Sequence, residues 1–175
     1  MLMIGCFAQE SKQTVQLTEK GEIILYEAWD NPSAEWFNQT GSASIMGKAH
    51  LTLMDGSVRD CSNLGIELLP VTNYAEERLG HIYAEKSHGS ILVSERKPPI
   101  FSPDAPEYHD HARKTTCDEN GIFSFEYLPA GEYYIIAFIL WDEEQENGET
   151  ELKGGGLMKR LYVKGGEKIA VDMHN

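Results

Sequence analysis

The residues with the clearest capacity for chemistry are the histidines around Tyr108-His109-Asp110-His111. On a β-strand, His109 and His111 would project from one face. A single zinc or iron ion could then bridge their imidazoles, with Tyr108, Asp110 or Glu107 completing the shell. His81 and His88 lie in the same stretch of chain. The neighbours follow no stringent ligand spacing, so the pattern favours histidines held by solvent or ordinary hydrogen bonds. Metal ligation at His109 and His111 is the alternative, and no cofactor is expected.

The cysteines come next. Met1-Leu2-Met3-Ile4-Gly5-Cys6 is similar to the tail of a bacterial lipoprotein signal, in which a small residue precedes a cysteine that becomes lipidated. It lacks a basic n-region, and its apolar stretch is short for a signal peptide. Either the coding start lies upstream, or Cys6 is a free thiol of a cytosolic protein. We take the lipoprotein reading, with residues 1–18 as signal remnant and tether. Cys61 and Cys117 then remain as an even pair, each beside a turn, and a disulfide becomes plausible in an oxidising compartment. Two unpaired cysteines packed as small hydrophobes are the alternative.

Other chemistry is sparse. The run Asp142 to Glu149 is acidic but lacks the residue order of an EF-hand loop, so a solvated connector is expected. Lys153-Gly154-Gly155-Gly156-Leu157 reads as a flexible hairpin connection. No G-x-S-x-G elbow, phosphate-cradling loop or H-E-x-x-H motif occurs. With 28 acidic against 15 basic residues and a formal charge of −13, the chain is unsuited to nucleic acid or anionic lipid surfaces. A cationic partner stays open. Tyr108, Trp36 and Trp141 are the candidate binding aromatics.

These groups must be positioned by strands. After the turn signal Asp118-Glu119-Asn120-Gly121, Phe123, Phe125 and Tyr127 alternate with polar residues, the period of a half-buried strand. Leu128-Pro129-Ala130-Gly131 breaks it. Tyr133 to Leu140 is a continuous apolar run, suited to a central strand covered on both faces. Leu157–Val163 and Lys168–Met173 read as a closing antiparallel hairpin. Residues 22–29 fit either a strand or a short helix. Asn31 is a candidate cap before Pro32, in a turn that sets Trp36 and Phe37 over a sandwich edge. Asn73 to Glu76 has capping-box spacing and predicts a helix to about Leu79, and residues 90–94 a short strand. The segment Lys97 to Pro106 carries four prolines and should be extended.

The pattern T-x-x-D-x-x-G-x-F-x-F-x-x-L-P-x-G-x-Y, from Thr115 to Tyr133, resembles the signature of carboxypeptidase regulatory-like domains. Gly47 to Leu51 and Leu64 to Pro70 resemble that family's earlier strands. The resemblance implies a transthyretin-like (prealbumin-like) antiparallel β-sandwich over residues 47–173, with a departure at 74–112. Domains of this kind are mostly non-catalytic. Arg113 to Phe123 is also similar to a turn of intradiol ring-cleaving dioxygenases, whose H-x-H iron ligands follow that turn. Here His109 and His111 precede it, so iron ligation is not carried over.

The expectation is therefore one all-β sandwich domain over residues 19–175, with a short N-terminal extension and a long loop insertion at 74–112. Length agrees, since 175 residues suit one sizeable core. A long insertion on a small sandwich is where binding often resides. The expected function is a non-catalytic binding or structural module, lipid-anchored to the bacterial cell envelope and facing an envelope or surface protein. A metal-dependent enzyme using His109 and His111, or a cytosolic accessory subunit, are the alternatives.

Overall fold

The computed structural model describes residues 15–175. Cys6 and most of the expected tether lie outside the described residues. Two sheets stack face to face, and extra segments cover the outer face of one of them.

The first sheet is built on β9 (Gly131–Glu144), flanked by β10 (Thr150–Val163) and β4 (Gly65–Pro70). Its edges are β5 (His88–Leu92) beside β10 and β7 (Arg113–Thr116) beside β4. The second sheet centres on β2 (Ala43–Thr52). One edge of β2 pairs in parallel with β11 (Lys168–Met173). Its other edge is shared, first by β8 (Ile122–Leu128) and then by β3 (Val58–Asp60), both antiparallel. This is the expected all-β sandwich.

Alternation along β9 explains both layers. Tyr133, Ile135, Ala137 and Ile139 enter the core between the sheets with Ile45, Leu51, Leu68 and Phe123. Tyr134 and Ile136 point the other way, into a second cluster under α2 (Asn73–Tyr83) and α3 (Pro106–Asp110). A strand buried on both faces reads as an unbroken apolar run. The turn before β8 has an equally direct cause. Asp118 Oδ1 accepts the backbone N–H groups of Asn120 and Ile122 at 2.8 and 2.9 Å. Gly121 supplies the positive φ of +69° that closes the turn.

Several expectations need correction. Leu157–Val163 and Lys168–Met173 form no hairpin: after β10 the chain crosses to the second sheet, where β11 pairs in parallel with β2. The glycine run is no flexible connection but lies buried within β10. A Cβ on Gly155 would come within 2.6 Å of the Ile91 carbonyl, and one on Gly156 within 2.8 Å of the Tyr83 hydroxyl. Close packing of β5 and α2 demands those glycines.

The alternation in β8 also breaks. Between the pairs Ile45–Phe125 and Ala43–Leu128, β8 carries one extra residue, a β-bulge. Tyr127 is thereby turned outward at φ +57° and 70% exposed, and Leu128 takes the core position.

The N-terminal part holds a short strand, β1 (Ile23–Ile24), paired in parallel with β6 (Phe101–Ser102). The helical turn α1 (Asn31–Ala34) starts one residue earlier than expected, with Asp30 in the N-cap position but no side-chain cap bond. Helix α2 is capped by Thr72, whose hydroxyl accepts the Ala75 N–H, and it runs beyond Leu79 to Tyr83.

Candidate functional site

One cleft lies where the N-terminal segment crosses α2. The helix divides cleanly by face. Tyr74, Ala75, Arg78, Leu79 and Tyr83 are buried against the first sheet. Asn73, Glu76, Glu77, Gly80 and Ala84 recur at helical spacing on the other side and floor a cleft of about 430 Å³. Tyr26, Glu27 and Val15 form the facing wall, while His81, Glu85 and Lys86 close one end.

The wall is tied to the floor by charge-assisted bonds. The Glu77 carboxylate accepts the backbone N–H of Tyr26 at 3.0 Å and that of Glu27 at 2.8 Å. At the closed end, Glu76 is held by Lys86 at 2.7 Å and by Arg160 at 2.6 Å. The hydrogen bond from Lys86, with the Arg160 guanidinium behind it, keeps the Glu76 carboxyl below its ordinary range against the cost of partial burial. Arg160 also grips Glu132 at 2.9 Å, and the Tyr134 hydroxyl donates to the Lys86 carbonyl at 3.1 Å. Two of the four cleft glutamates are thus occupied in building the walls. Asn73, His81 and Glu85 line the space with an amide, an imidazole and a carboxylate beside the half-exposed Tyr26 ring. A partly exposed aromatic ring among hydrogen-bonding side chains suits a polar, hydroxyl-rich ligand.

Behind the helix, aromatic packing fixes its position. Arg78 is buried between the rings of Phe101 and Tyr108, at 4.3 and 4.9 Å, and binds Asp104 at 2.7 Å. The Tyr74 hydroxyl accepts the Ala105 N–H at 3.0 Å. Burial raises the phenol pKa of both Tyr83 and Tyr108, so neither serves as a proton carrier near neutrality.

Of the residues singled out from sequence, His81 lines this cleft, while the candidate metal, binding and disulfide residues lie elsewhere. Tyr108 is buried within that aromatic packing. Trp36 stacks edge-on against Tyr133 at 5.2 Å, at the sandwich rim. Trp141 lies far along β9, with Arg59 5.9 Å from its ring, and its buried indole N–H has no hydrogen-bond partner. It borders a second cleft of about 300 Å³ with Met54, Leu92, Glu95 and Lys153.

His109 and His111 are not on a strand. Pro106 starts α3 and His111 caps its end, so residues two apart diverge around the helix instead of sharing a face. His109 Nε2 is 3.3 Å from Asp104, while His111 Nδ1 is 2.8 Å from the Glu107 carbonyl. Among the described residues no group of three or more His, Cys, Asp or Glu side chains is placed to hold a metal ion. Cys61 and Cys117 are joined by a disulfide, with Sγ–Sγ 2.07 Å and Cα–Cα 5.8 Å. No helix among the described residues is long and apolar enough to cross a membrane.

Asn73, Glu76 and Glu77 already share one face of the expected helix; what the sequence did not show is that the Tyr26 segment docks over that face through Glu77.

No family model matches the chain, and no curated protein does. A solved structure from Pseudomonas aeruginosa, of a candidate carbohydrate binding protein, is similar to it, with a TM-score of 0.70 and 25% sequence identity. The similarity covers 85% of this chain and 99% of that one.

Proposed function

We propose that this chain is a non-catalytic binding module of the bacterial cell envelope, anchored through Cys6, whose Tyr26 cleft takes a carbohydrate. The observation that carries the reading is the cleft itself, lined by Tyr26 together with Asn73, His81 and Glu85 where two additions to the sandwich meet. The likeness to a candidate carbohydrate binding protein supports the ligand class. The Cys61–Cys117 bond supports an oxidising compartment. The Asp118 turn supports a carboxypeptidase regulatory-like sandwich.

The test is calorimetric titration of the full chain with neutral, acidic and amino-sugar oligosaccharides. Tyr26→Ala and His81→Ala should each weaken the best ligand about tenfold or more, while Trp36→Phe should leave it unchanged. A panel with no binder sinks the carbohydrate reading. Binding that ignores both substitutions moves the site elsewhere. Intact mass of the membrane fraction tests the anchor: a species beginning at a lipid-modified Cys6 supports it, and a soluble one retaining Met1 overturns it.

A further inference from the structure

The hairpin of β9 and β10 outreaches its sheet. Partners cover β9 only from Tyr133 to Ala137 on the β4 side, and β10 only from Gly155 to Lys159 on the β5 side. Beyond them the two strands continue as a ribbon to Glu144 and Thr150. On the outer face of this ribbon, past the end of α2, four large apolar side chains stand in the open. Phe138 is 41% exposed, Val93 42%, Leu140 46% and Leu152 65%.

Register puts them together. Leu140 pairs with Gly154, and Phe138 with Gly156. The Val93 N–H donates to the Gly154 carbonyl, which extends the same row across the edge. Leu152 pairs with Asp142, one step further along that face. Both glycines are themselves buried, so the exposed surface is made by the larger side chains. Leu140 lies over Gly154 closely enough that a Cβ there would sit 2.5 Å from its methyl.

The surroundings are one-sided in charge. Between residues 142 and 153 stand Asp142, Glu143, Glu144, Glu146, Glu149 and Glu151, against Lys153 alone. That lysine is already held by Glu151 at 2.7 Å and Glu143 at 3.8 Å. A two-fold contact with a second copy would set acidic rim against acidic rim on a chain of charge −13. Water is a poor permanent cover for contiguous apolar surface. The complementary occupant is apolar with a basic rim.

We propose that this ribbon face docks a basic, leucine-type segment of another protein, the leucines covering Phe138, Leu140, Leu152 and Val93 and the lysines or arginines meeting the acidic tip. This surface is distinct from the Tyr26 cleft and does not depend on the carbohydrate reading.

The experiment is amide NMR of the isotope-labelled full chain, titrated with three short synthetic peptides. One alternates lysine with leucine, one lysine with glycine, one glutamate with leucine. The lysine–leucine peptide should shift resonances of Val93, Phe138, Leu140 and Leu152, and salt should weaken it. The double variant Leu140→Asp with Leu152→Asp, two exposed positions, should keep the wild-type thermal midpoint and lose about tenfold or more in affinity. Equal binding of the lysine–glycine peptide would show charge attraction alone and overturn the proposal. Equal binding of the glutamate–leucine peptide, or an unaffected double variant, would do the same. Concentration-dependent dimerisation abolished by the double variant would replace the partner with a second copy.

Discussion

The two faces of the first sheet differ in how much polar chemistry they bury. Toward the second sheet the contacts are mostly aliphatic and phenyl groups, with Tyr133 donating its hydroxyl to the Pro129 carbonyl and the Cys61–Cys117 bond closing one corner. Toward α2 and the insertion, leucines, isoleucines and Met158 are joined by several tyrosines and Arg78; the Tyr74 and Tyr134 hydroxyls and the Arg78 guanidinium each hold a partner. The first face needs chiefly shape and water exclusion. The second needs particular partners at particular places, because a buried polar group without one is costly. That division assigns fold to one face and the position of the cleft to the other. Substitutions should separate the two.

The sharpest break falls on the inner face. Phe125 is buried there beside Phe123. Phe125→Ala should cost about 3–5 kcal/mol, read as a lowered urea midpoint with the whole domain unfolding together. Removing the disulfide should cost a similar amount. It closes a sequence separation of 56 residues, for which chain entropy gives about 4 kcal/mol. Cys61→Ala with Cys117→Ala should therefore lower the midpoint while leaving the native cleft able to bind. Loss of binding in the protein that remains folded would show that inner and outer faces are not separable.

Arg78 tests the other side. Its guanidinium sits between two aromatic rings and bonds Asp104, so it joins α2 to the proline-containing insertion. Arg78→Met keeps the apolar stem and removes the charge-assisted bonds, at a cost of about 2 kcal/mol. The loss should be local. Amide exchange should accelerate in residues 97–112 and at the cleft, while β2 and β9 keep their protection. Uniform acceleration across both sheets would contradict the division.

The same division explains what the sequence disclosed. The inner face obeys simple periods: Phe123 and Phe125 alternate, the apolar run of β9 is unbroken, and Asp118 with Gly121 marks its turn. Those local signals survive in the folded chain. The bulge that expels Tyr127 left no comparable mark, because a single extra residue is fixed by strand pairing across the sheet. The parallel pairing of β11 was hidden for the same reason, since adjacent strands in sequence look like a hairpin whichever sheet they enter. His109 and His111 misled because a strand was assumed where Pro106 starts a helix. The cleft was least legible. Its wall comes from Tyr26 and its floor from residues about 50 positions later, joined by Glu77 bonds that no local pattern announces.

The finest test concerns the cleft's closed end and uses pH. Glu76 has its carboxyl held below the ordinary 4.5, first by the hydrogen bond from Lys86 and then by Arg160. The folded protein therefore binds that proton less readily than the unfolded chain does. Its contribution to stability is full above about pH 4.5 and is lost as pH falls through the lower folded value. Because Lys86 is mostly exposed and water screens the pair, the effect is about 0.5–1 kcal/mol. Glu76→Gln should show that deficit in urea unfolding near neutral pH, and the gap from wild type should close in acid. The variant also frees Lys86 and loosens Arg160, so sugar affinity should shift with it if the closed end shapes the Tyr26 cleft. A stability gap that persists unchanged in acid would mean that packing, and not charge, is what Glu76 supplies there.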